Sequence, residues 1–98
     1  MEFVIHKYRI GEQPRRTEEI LLPYQSQPIS AGFQNGHFVV WVKEPVAGPR
    51  EEVAMHKFAF RAIQTGQPST QEIGWQFIRT IFIGDEVYHV FYTLNYRT

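Results

Sequence analysis

The sequence contains no cysteine among its 98 residues. This absence excludes disulfide bonds within the chain and zinc sites built from thiolates. An excess of one charge is also missing, because ten basic residues balance ten acidic residues and the formal net charge is zero. The balance argues against general nucleic-acid binding and against a membrane surface as partner, and it leaves a local basic cluster open.

Long apolar runs are missing as well. No run of about 18 apolar residues occurs, and the first residues lack the cationic and apolar pattern of a secretory leader. The sequence therefore indicates neither membrane spanning nor secretion, and we expect a cytoplasmic protein. Folding a chain of this length buries roughly 65% of its extended surface. That suffices for one core, so we expect a single domain over residues 1–98.

The most apolar part of the chain runs from Trp75 to Tyr96. Two stretches rich in β-branched and aromatic residues, WQFIRTIFI and EVYHVFYTLN, flank the pair Gly84 and Asp85. Such side chains fit a pleated sheet and lose rotamer freedom in a helix. Large apolar groups occur on both faces of each stretch, so we expect a central hairpin in a sandwich, or the closing pair of a small barrel, covered on both sides at least in part.

Alternating apolar residues predict five further strands. They are Phe3 to Ile10, Ile20 to Pro23, Ile29 to Gln34, His37 to Lys43 and Glu52 to Ile63. Asn35 and Gly36 both accept the positive φ of a type I′ turn, which predicts a hairpin between the third and fourth strands. The last of the five contains helix-forming Ala and Met, but the period-two placement of Phe58 and Phe60 favours a strand over a helix.

Polar segments separate these strands. We expect a turn near Gly11 and Pro14, an exposed connection from Pro45 to Glu52 and a loop from Thr65 to Thr70. The sequence therefore predicts an all-β fold with about seven antiparallel strands in a small sandwich or partly open barrel.

Motifs of catalysis are absent from the sequence. It has no Gly-rich phosphate loop, no His-x-Glu pair, no Gly-x-Ser-x-Gly elbow and no His-x-Thr or His-x-Ser repeat. The acidic pairs Glu18-Glu19, Glu51-Glu52 and Asp85-Glu86 occur in or beside predicted loops. Neighbours on a strand point to opposite faces, so these pairs indicate solvated charge and not an acid/base dyad. We therefore expect a protein that is not an enzyme.

Each of the four histidines lies on a predicted strand. Three imidazoles that converged from His6, His37, His56 and His89 would suffice for a metal site. Their spacing matches no short ligand motif, and His89 between Val87 and Phe91 is typical of a hydrogen-bonded residue of the core. We therefore predict no metal and no cofactor.

Cations beside aromatic residues give the candidate ligand-binding residues. The set comprises Arg9, Trp41, Lys57, Arg61, Arg79 and Tyr88. Lys7 and Arg9 share one face of the first strand, and Lys57 and Arg61 share one face of the fifth. Arg79 lies within an apolar face of the sixth strand, where a charge needs a partner.

Two interpretations of these cations remain. If their strands are neighbours, the cationic groups meet at one surface flanked by Trp41, Trp75, Tyr88 or Tyr92. Arginine binds phosphate bidentately and aromatic rings stack on bases, so such a surface would hold a nucleotide. In the alternative, each cation faces a glutamate in an exposed ion pair that contributes little.

Several short stretches occur in a characteristic order between about Lys7 and Tyr92. They are Lys7-Tyr8-Arg9, the Asn35-Gly36 hairpin with Trp41, Thr65-Gly66-Gln67-Pro68 and His89-Val90-Phe91. In this order the chain resembles a family of small uncharacterised proteins found mainly in tailed phages and prophages. The resemblance implies a phage-encoded protein that acts in the bacterial host cytoplasm, and it implies no reaction.

Two functions follow as hypotheses. The first is a non-catalytic binding protein of counter-defence, which sequesters a small nucleotide signal or occupies a host protein. The alternative is a structural or assembly component of the virion, a homo-oligomer in which exposed strand edges pair between copies.

Overall fold

Seven antiparallel strands form two sheets that stack on each other. The structure is a computed structural model and describes residues 2–11, 16–49, 52–68 and 74–94. The strands are β1 (Phe3–Gly11), β2 (Glu18–Pro23), β3 (Gln27–Gln34), β4 (His37–Pro45), β5 (Met55–Gln64), β6 (Gln76–Ile83) and β7 (Glu86–Leu94). The predicted all-β fold is confirmed, and it is a sandwich of two open sheets and not a closed barrel.

The strand order places two sheet edges side by side. One sheet has the order β1-β4-β3 and the other has the order β2-β5-β7-β6. Strand β3 packs against β6, so the edge of the first sheet meets the edge of the second along a seam. Across the described ranges, no helix is long and apolar enough to cross a bilayer.

Both tight hairpins follow from their turn residues. Asn35 has a φ of 51° and Gly36 a φ of 79°, and they connect the paired residues Gln34 and His37. The predicted type I′ turn is thereby confirmed. Between β6 and β7, Gly84 alone has a positive φ, 58°, as a type II′ turn requires of its first central residue.

The core lies between the sheets and is built from alternate residues of each strand. Its largest fully buried side chains are Phe38, Phe58, Phe60, Leu22, Val40, Val42 and Val90. Burial of such a side chain stabilises the fold by about 1.5–3 kcal/mol. Because even-numbered residues of β4 face this core, Trp41 and Lys43 point away from it. Val39 has the same outward register but is only 2% exposed.

The hairpin of β6 and β7 is less central than expected. Strand β7 lies inside its sheet, but β6 forms an edge. Phe77 is 56% exposed and Phe82 is 74% exposed. The expectation that both faces of this hairpin are covered is therefore wrong for β6, because a two-layer sandwich has no third layer over its outer face.

The predicted strand from Glu52 to Ile63 is confirmed in type and begins later. Strand β5 starts at Met55 and ends at Gln64. Other predicted features fall partly outside the described residues: Pro14 in the first polar turn, Glu51 in the connection after Pro45, Thr70 at the end of its loop and Tyr96 at the chain end.

Candidate functional site

The outer face of the three-stranded sheet carries the cations of β1 and β4. Tyr8 and Ile10 of β1 pack in or against the core, so the alternate residues Lys7 and Arg9 face outward. Lys7 pairs with Trp41 and Arg9 pairs with Val39 in the register of β1 and β4. Two cations and the indole ring therefore lie on the same face.

The indole ring of Trp41 lies on the backbone of β3. A Cβ atom added to Gly32 would be 3.1 Å from Cζ3 and 3.3 Å from Cη2 of Trp41. A side chain at this position would require the ring to shift by a few tenths of an ångström. Trp41 therefore extends across β3 towards the seam with β6.

Arg79 reaches the same seam from the other sheet. It pairs with the buried Val90 and so has the register of an inward-facing residue. Because β6 is an edge strand, the Arg79 side chain leaves the core and is exposed. Its Nη1 donates a hydrogen bond to Oγ of Ser30 over 3.3 Å. In the described part of the chain, no Asp or Glu lies within 4.0 Å of the guanidinium group.

These side chains surround a groove of about 350 Å³ at the seam. Its lining consists of Ala31, Gly32, Phe33, Gln34, Trp41, Arg79, Thr80, Ile81 and Phe82. The groove is open to solvent and its lining is slightly more polar than apolar, and its volume lies within the roughly 300–1,000 Å³ typical of small-ligand sites. We call this hollow the seam groove.

Lys7 borders the seam groove from the far side of β4. Its Nζ donates a hydrogen bond to Oε1 of Gln34 over 3.0 Å, and Gln34 lines the groove. The ammonium group of Lys7 is exposed and has only this neutral partner among the described residues. The groove is therefore bordered by a guanidinium group on one side and an ammonium group on the other.

Two other predicted site residues lie on the opposite side of the molecule. Lys57 forms an ion pair with Glu19, with 3.3 Å between Nζ and Oε2. Arg61 donates from Nε over 3.0 Å and from Nη2 over 2.5 Å to Oγ1 of Thr17, and its guanidinium carbon lies 5.4 Å from the ring centre of Trp75. The sheet topology therefore keeps the cations of β1 apart from those of β5.

Tyr88 is buried in the core between the two sheets. Its side chain is 6% exposed within the core, and its hydroxyl group donates a hydrogen bond to Glu86. This bond, together with burial, raises the pKa of Tyr88. Tyr88 therefore stands apart from the seam groove, which Trp41 and Arg79 line.

The histidines occupy four separate environments. His6 Nδ1 lies 3.0 Å from Oε2 of Glu44, and His37 Nδ1 lies 2.8 Å from the carbonyl oxygen of Asn35. The ring of His56 lies 5.1 Å from that of Tyr24, centre to centre. The described ranges contain no group of three His, Asp or Glu side chains placed to hold a metal ion.

Both ring nitrogens of the fourth histidine contact hydroxyl groups. His89 Nε2 lies 2.7 Å from Oγ1 of Thr65, and Nδ1 lies 2.9 Å from Oγ1 of Thr80. The expected hydrogen bonding of His89 is therefore observed. The residue is half-buried on the outward-facing register of β7 and not inside the core.

The three-stranded sheet has one carboxylate, Glu44, and it faces inward. Glu44 is 5% exposed. It accepts a hydrogen bond of 2.5 Å from the hydroxyl group of Tyr8, and His6 contacts the same oxygen. Burial, and then this hydrogen bond, raises the pKa of Tyr8 to about 12. The outward face of β1, β3 and β4 is left with cations and without acidic residues.

A second hollow of about 260 Å³ lies at the other end of the sandwich. Its lining consists of Tyr24, Gln25, Pro45, Val46, Ala47, Glu52, Val53 and Ala54. Among the described residues of this lining there is a carboxylate and no cation, so they do not favour an anionic ligand.

Sequence reasoning identified Trp41 and Arg79 and missed the other lining residues of the seam groove: Ala31, Gly32, Phe33, Gln34, Thr80, Ile81 and Phe82. It also missed Ser30, which accepts the hydrogen bond from Arg79. The glycine inside a strand pattern is the one signal that was available, because such a glycine often marks the close approach of another group. Nothing in the sequence distinguishes the exposed Phe82 from a phenylalanine of the core.

The fold and the groove together define a small β-sandwich with a cationic and aromatic groove between its sheet edges. The chain belongs to the family described as Domain of unknown function (DUF7352), which matches residues 1–97. Neither a curated protein nor a solved structure matches the chain.

Proposed function

We propose that this chain is a non-catalytic binding domain that captures a nucleotide in the seam groove. The observation that carries the proposal is Arg79, an exposed guanidinium group beside an indole ring and without a carboxylate among the described residues. A guanidinium group binds phosphate bidentately, and an indole face stacks on a nucleobase. The groove therefore offers both contacts that a nucleotide needs.

The biological setting is part of the proposal. The order of Lys7-Tyr8-Arg9, the Asn35-Gly36 hairpin and His89-Val90-Phe91 supports a phage origin. A phage protein of this kind would act in the bacterial host cytoplasm and blunt host defence, by sequestering a small nucleotide signal. Alternatively, the protein would blunt host defence by occupying a host protein, and the groove would then bind no nucleotide.

Mass spectrometry under native conditions and thermal unfolding test the proposal. AMP, ADP, ATP and 3′,5′-cyclic AMP are added in turn, and pyrophosphate tests the contribution of phosphate without a base. A ligand at about 100 times its Kd stabilises the fold by about 2.7 kcal/mol. In a domain of this size we expect the melting temperature to rise by about 10 °C or more.

Arg79→Gln provides the matched variant, and Lys57→Gln is its control on the opposite face. We expect Arg79→Gln to abolish the thermal shift and Lys57→Gln to preserve it. An equal shift in both variants would refute the seam groove as the site. The absence of any shift in the native protein with these ligands would refute the capture of a mononucleotide.

Strand β1 favours a second candidate function, an assembly component of a virion. Within the part of the chain that the structure describes, strand β1 pairs only with β4, and Phe3, Val4 and Ile5 are 48%, 36% and 55% exposed. An apolar edge strand of this kind pairs readily with another copy. Light scattering over a concentration series tests this role: a stable multimer without ligand that Ile5→Lys dissociates supports assembly, and a monomer at all concentrations excludes it.

A further inference from the structure

We infer that the ligand of the seam groove carries at least two phosphates linked through a nucleoside, as in a dinucleotide or a short single strand. This inference rests on the proposed nucleotide binding and adds the class of nucleotide. It places the first phosphate at Arg79, a base on Trp41 and the second phosphate at Lys7.

The register of the three-stranded sheet places these groups in one row. Lys7 pairs with Trp41, and Trp41 pairs with Ser30, whose hydroxyl group accepts the hydrogen bond from Arg79. Adjacent strands are about 4.8 Å apart, so the Cα atoms of Lys7 and Ser30 are separated by about 10 Å. The functional groups themselves line up along β3, where Arg79 bonds Ser30 and the indole ring rests on Gly32. The ammonium group of Lys7 bonds Gln34 further along the same strand, so the ring lies between the two cations.

Charge on this face complements a ligand with several anionic groups. The outward side of the sheet presents Lys7, Arg9 and Lys43, and Glu44, the one acidic residue of its three strands, faces inward. Three cations thus share a face of a chain whose formal net charge is zero. A mononucleotide whose phosphate is bound at Arg79 would place no negative charge near these three cations.

The hydrogen-bond partners of these cations allow exchange for phosphate. The amide oxygen of Gln34 is a neutral acceptor for Lys7, and a phosphate oxygen forms a stronger, charge-assisted bond. Arg9 is the next outward residue along β1 and is exposed. Lys43 differs because its Nζ lies 4.5 Å from the ring centre of Phe3.

The aromatic ring selects a nucleotide over an acidic peptide. Trp41 lies flat enough on β3 that a Cβ atom on Gly32 would contact its ring. Phe82, 74% exposed, borders the same groove. Stacking on such rings is available to every nucleobase, and an acidic peptide supplies the charge without the flat ring.

Titration with ligands that differ in phosphate number tests the inference. The probes are AMP, the linear dinucleotide pApA, a cyclic di-adenosine dinucleotide and a ten-residue single-stranded oligoadenylate, together with a polyglutamate peptide. We expect the ligands with linked nucleotides to bind at least about tenfold more tightly than AMP. The tightest of the three identifies a free dinucleotide or a longer strand as the source.

The variant Lys7→Gln separates this inference from the proposed function. It should weaken pApA binding by about tenfold and leave AMP binding within about twofold, while Lys57→Gln leaves both unchanged. The slope of log K against log salt for the oligoadenylate is negative, and its magnitude should decrease by about 0.7 in Lys7→Gln. If AMP and pApA bind with equal affinity, or the polyglutamate peptide binds best, the inference is refuted. If AMP, pApA, the cyclic dinucleotide and the oligoadenylate all fail to bind, the proposed function itself is refuted.

Discussion

The indole ring of Trp41 rests on the backbone of Gly32, so close that an added Cβ atom would be 3.1 Å from Cζ3 of the ring. The glycine is not required for its backbone conformation, because its φ is not in the left-handed region. Its small size matters because alanine would require the neighbouring ring to shift by a few tenths of an ångström. The position of Trp41 beside Arg79 therefore depends on a missing side chain on the adjacent strand.

A double-mutant cycle on this pair tests the dependence. With Trp41→Leu in place, we expect Gly32→Ala to raise the free energy of unfolding by about 0.4–1 kcal/mol, because alanine has less freedom to lose on folding. In the native background, displacement of the ring should cancel or reverse that gain. Urea unfolding of the four proteins measures both effects. An equal gain in both backgrounds would show that the ring contact has no energetic consequence.

The two arginines of β5 and β6 should separate stability from binding. Arg61 donates twice to Thr17 and stacks on Trp75, so Arg61→Gln should lower the free energy of unfolding by about 1–2 kcal/mol. Arg79→Gln should lower it by less than about 0.5 kcal/mol, because Arg79 is exposed and its bond to Ser30 is long. Nucleotide affinity should be lost in Arg79→Gln and unchanged in Arg61→Gln. Equal losses of stability in both variants would contradict this assignment.

Alkaline pH should weaken the fold through Tyr8. Its pKa is raised from 10.0 to about 12 by burial and by the hydrogen bond to Glu44. Between these values the unfolded chain releases the phenolic proton and the folded chain retains it, so the contribution of Tyr8 is complete below pH 10 and is lost as the pH rises towards 12.

Comparison of Tyr8→Phe with Tyr24→Phe measures that contribution. Tyr88 and Tyr92 also have raised pKa values. Both tyrosines remain in the two variants, so they contribute equally to the loss of stability of each at alkaline pH. Tyr24 is 54% exposed, so its removal serves as a control. Denaturant unfolding at pH 9 and at pH 11 should show a smaller loss of stability in Tyr8→Phe than in Tyr24→Phe. An identical loss would exclude Tyr8 as the source.

Phe60 and Phe82 should differ in what they contribute, the first to stability and the second to nucleotide binding. Phe60 is fully buried and Phe82 is 74% exposed. Phe60→Ala should cost about 3–5 kcal/mol of stability, whereas Phe82→Ser should cost less than about 0.5 kcal/mol. Phe82 borders the seam groove, so its loss should weaken nucleotide binding several-fold, as measured by calorimetry. Unchanged affinity would remove Phe82 from the site.

The strands were predictable because their chemistry is local. Period-two alternation and β-branched residues identify a strand, and Asn35-Gly36 identifies its turn, without information from the rest of the chain. Alternation also assigned Lys7 and Arg9 to one face. Alternation does not specify which strands become neighbours. The strand pairing places β1 and β5 in different sheets, so their cations do not meet.

The site was predictable only in part for the same reason. Trp41 and Arg79 were identified by residue type, but their proximity depends on β3 meeting β6 at the seam. The environment of Arg79 also depends on topology: an inward-facing charge on an inner strand would be buried, and the same residue on an edge strand reaches solvent. Phe82 is exposed because β6 ends its sheet, which its sequence neighbours do not indicate.

Tryptophan fluorescence tests the central claim most directly. The chain has two tryptophans, so Trp75→Phe leaves Trp41 as the sole reporter inside the proposed site. We expect ADP and pApA to change its emission saturably, and Arg79→Gln to abolish that change while circular dichroism confirms an intact fold. Emission that stays constant at all nucleotide concentrations, or an equal response with and without Arg79, would contradict nucleotide binding in the seam groove.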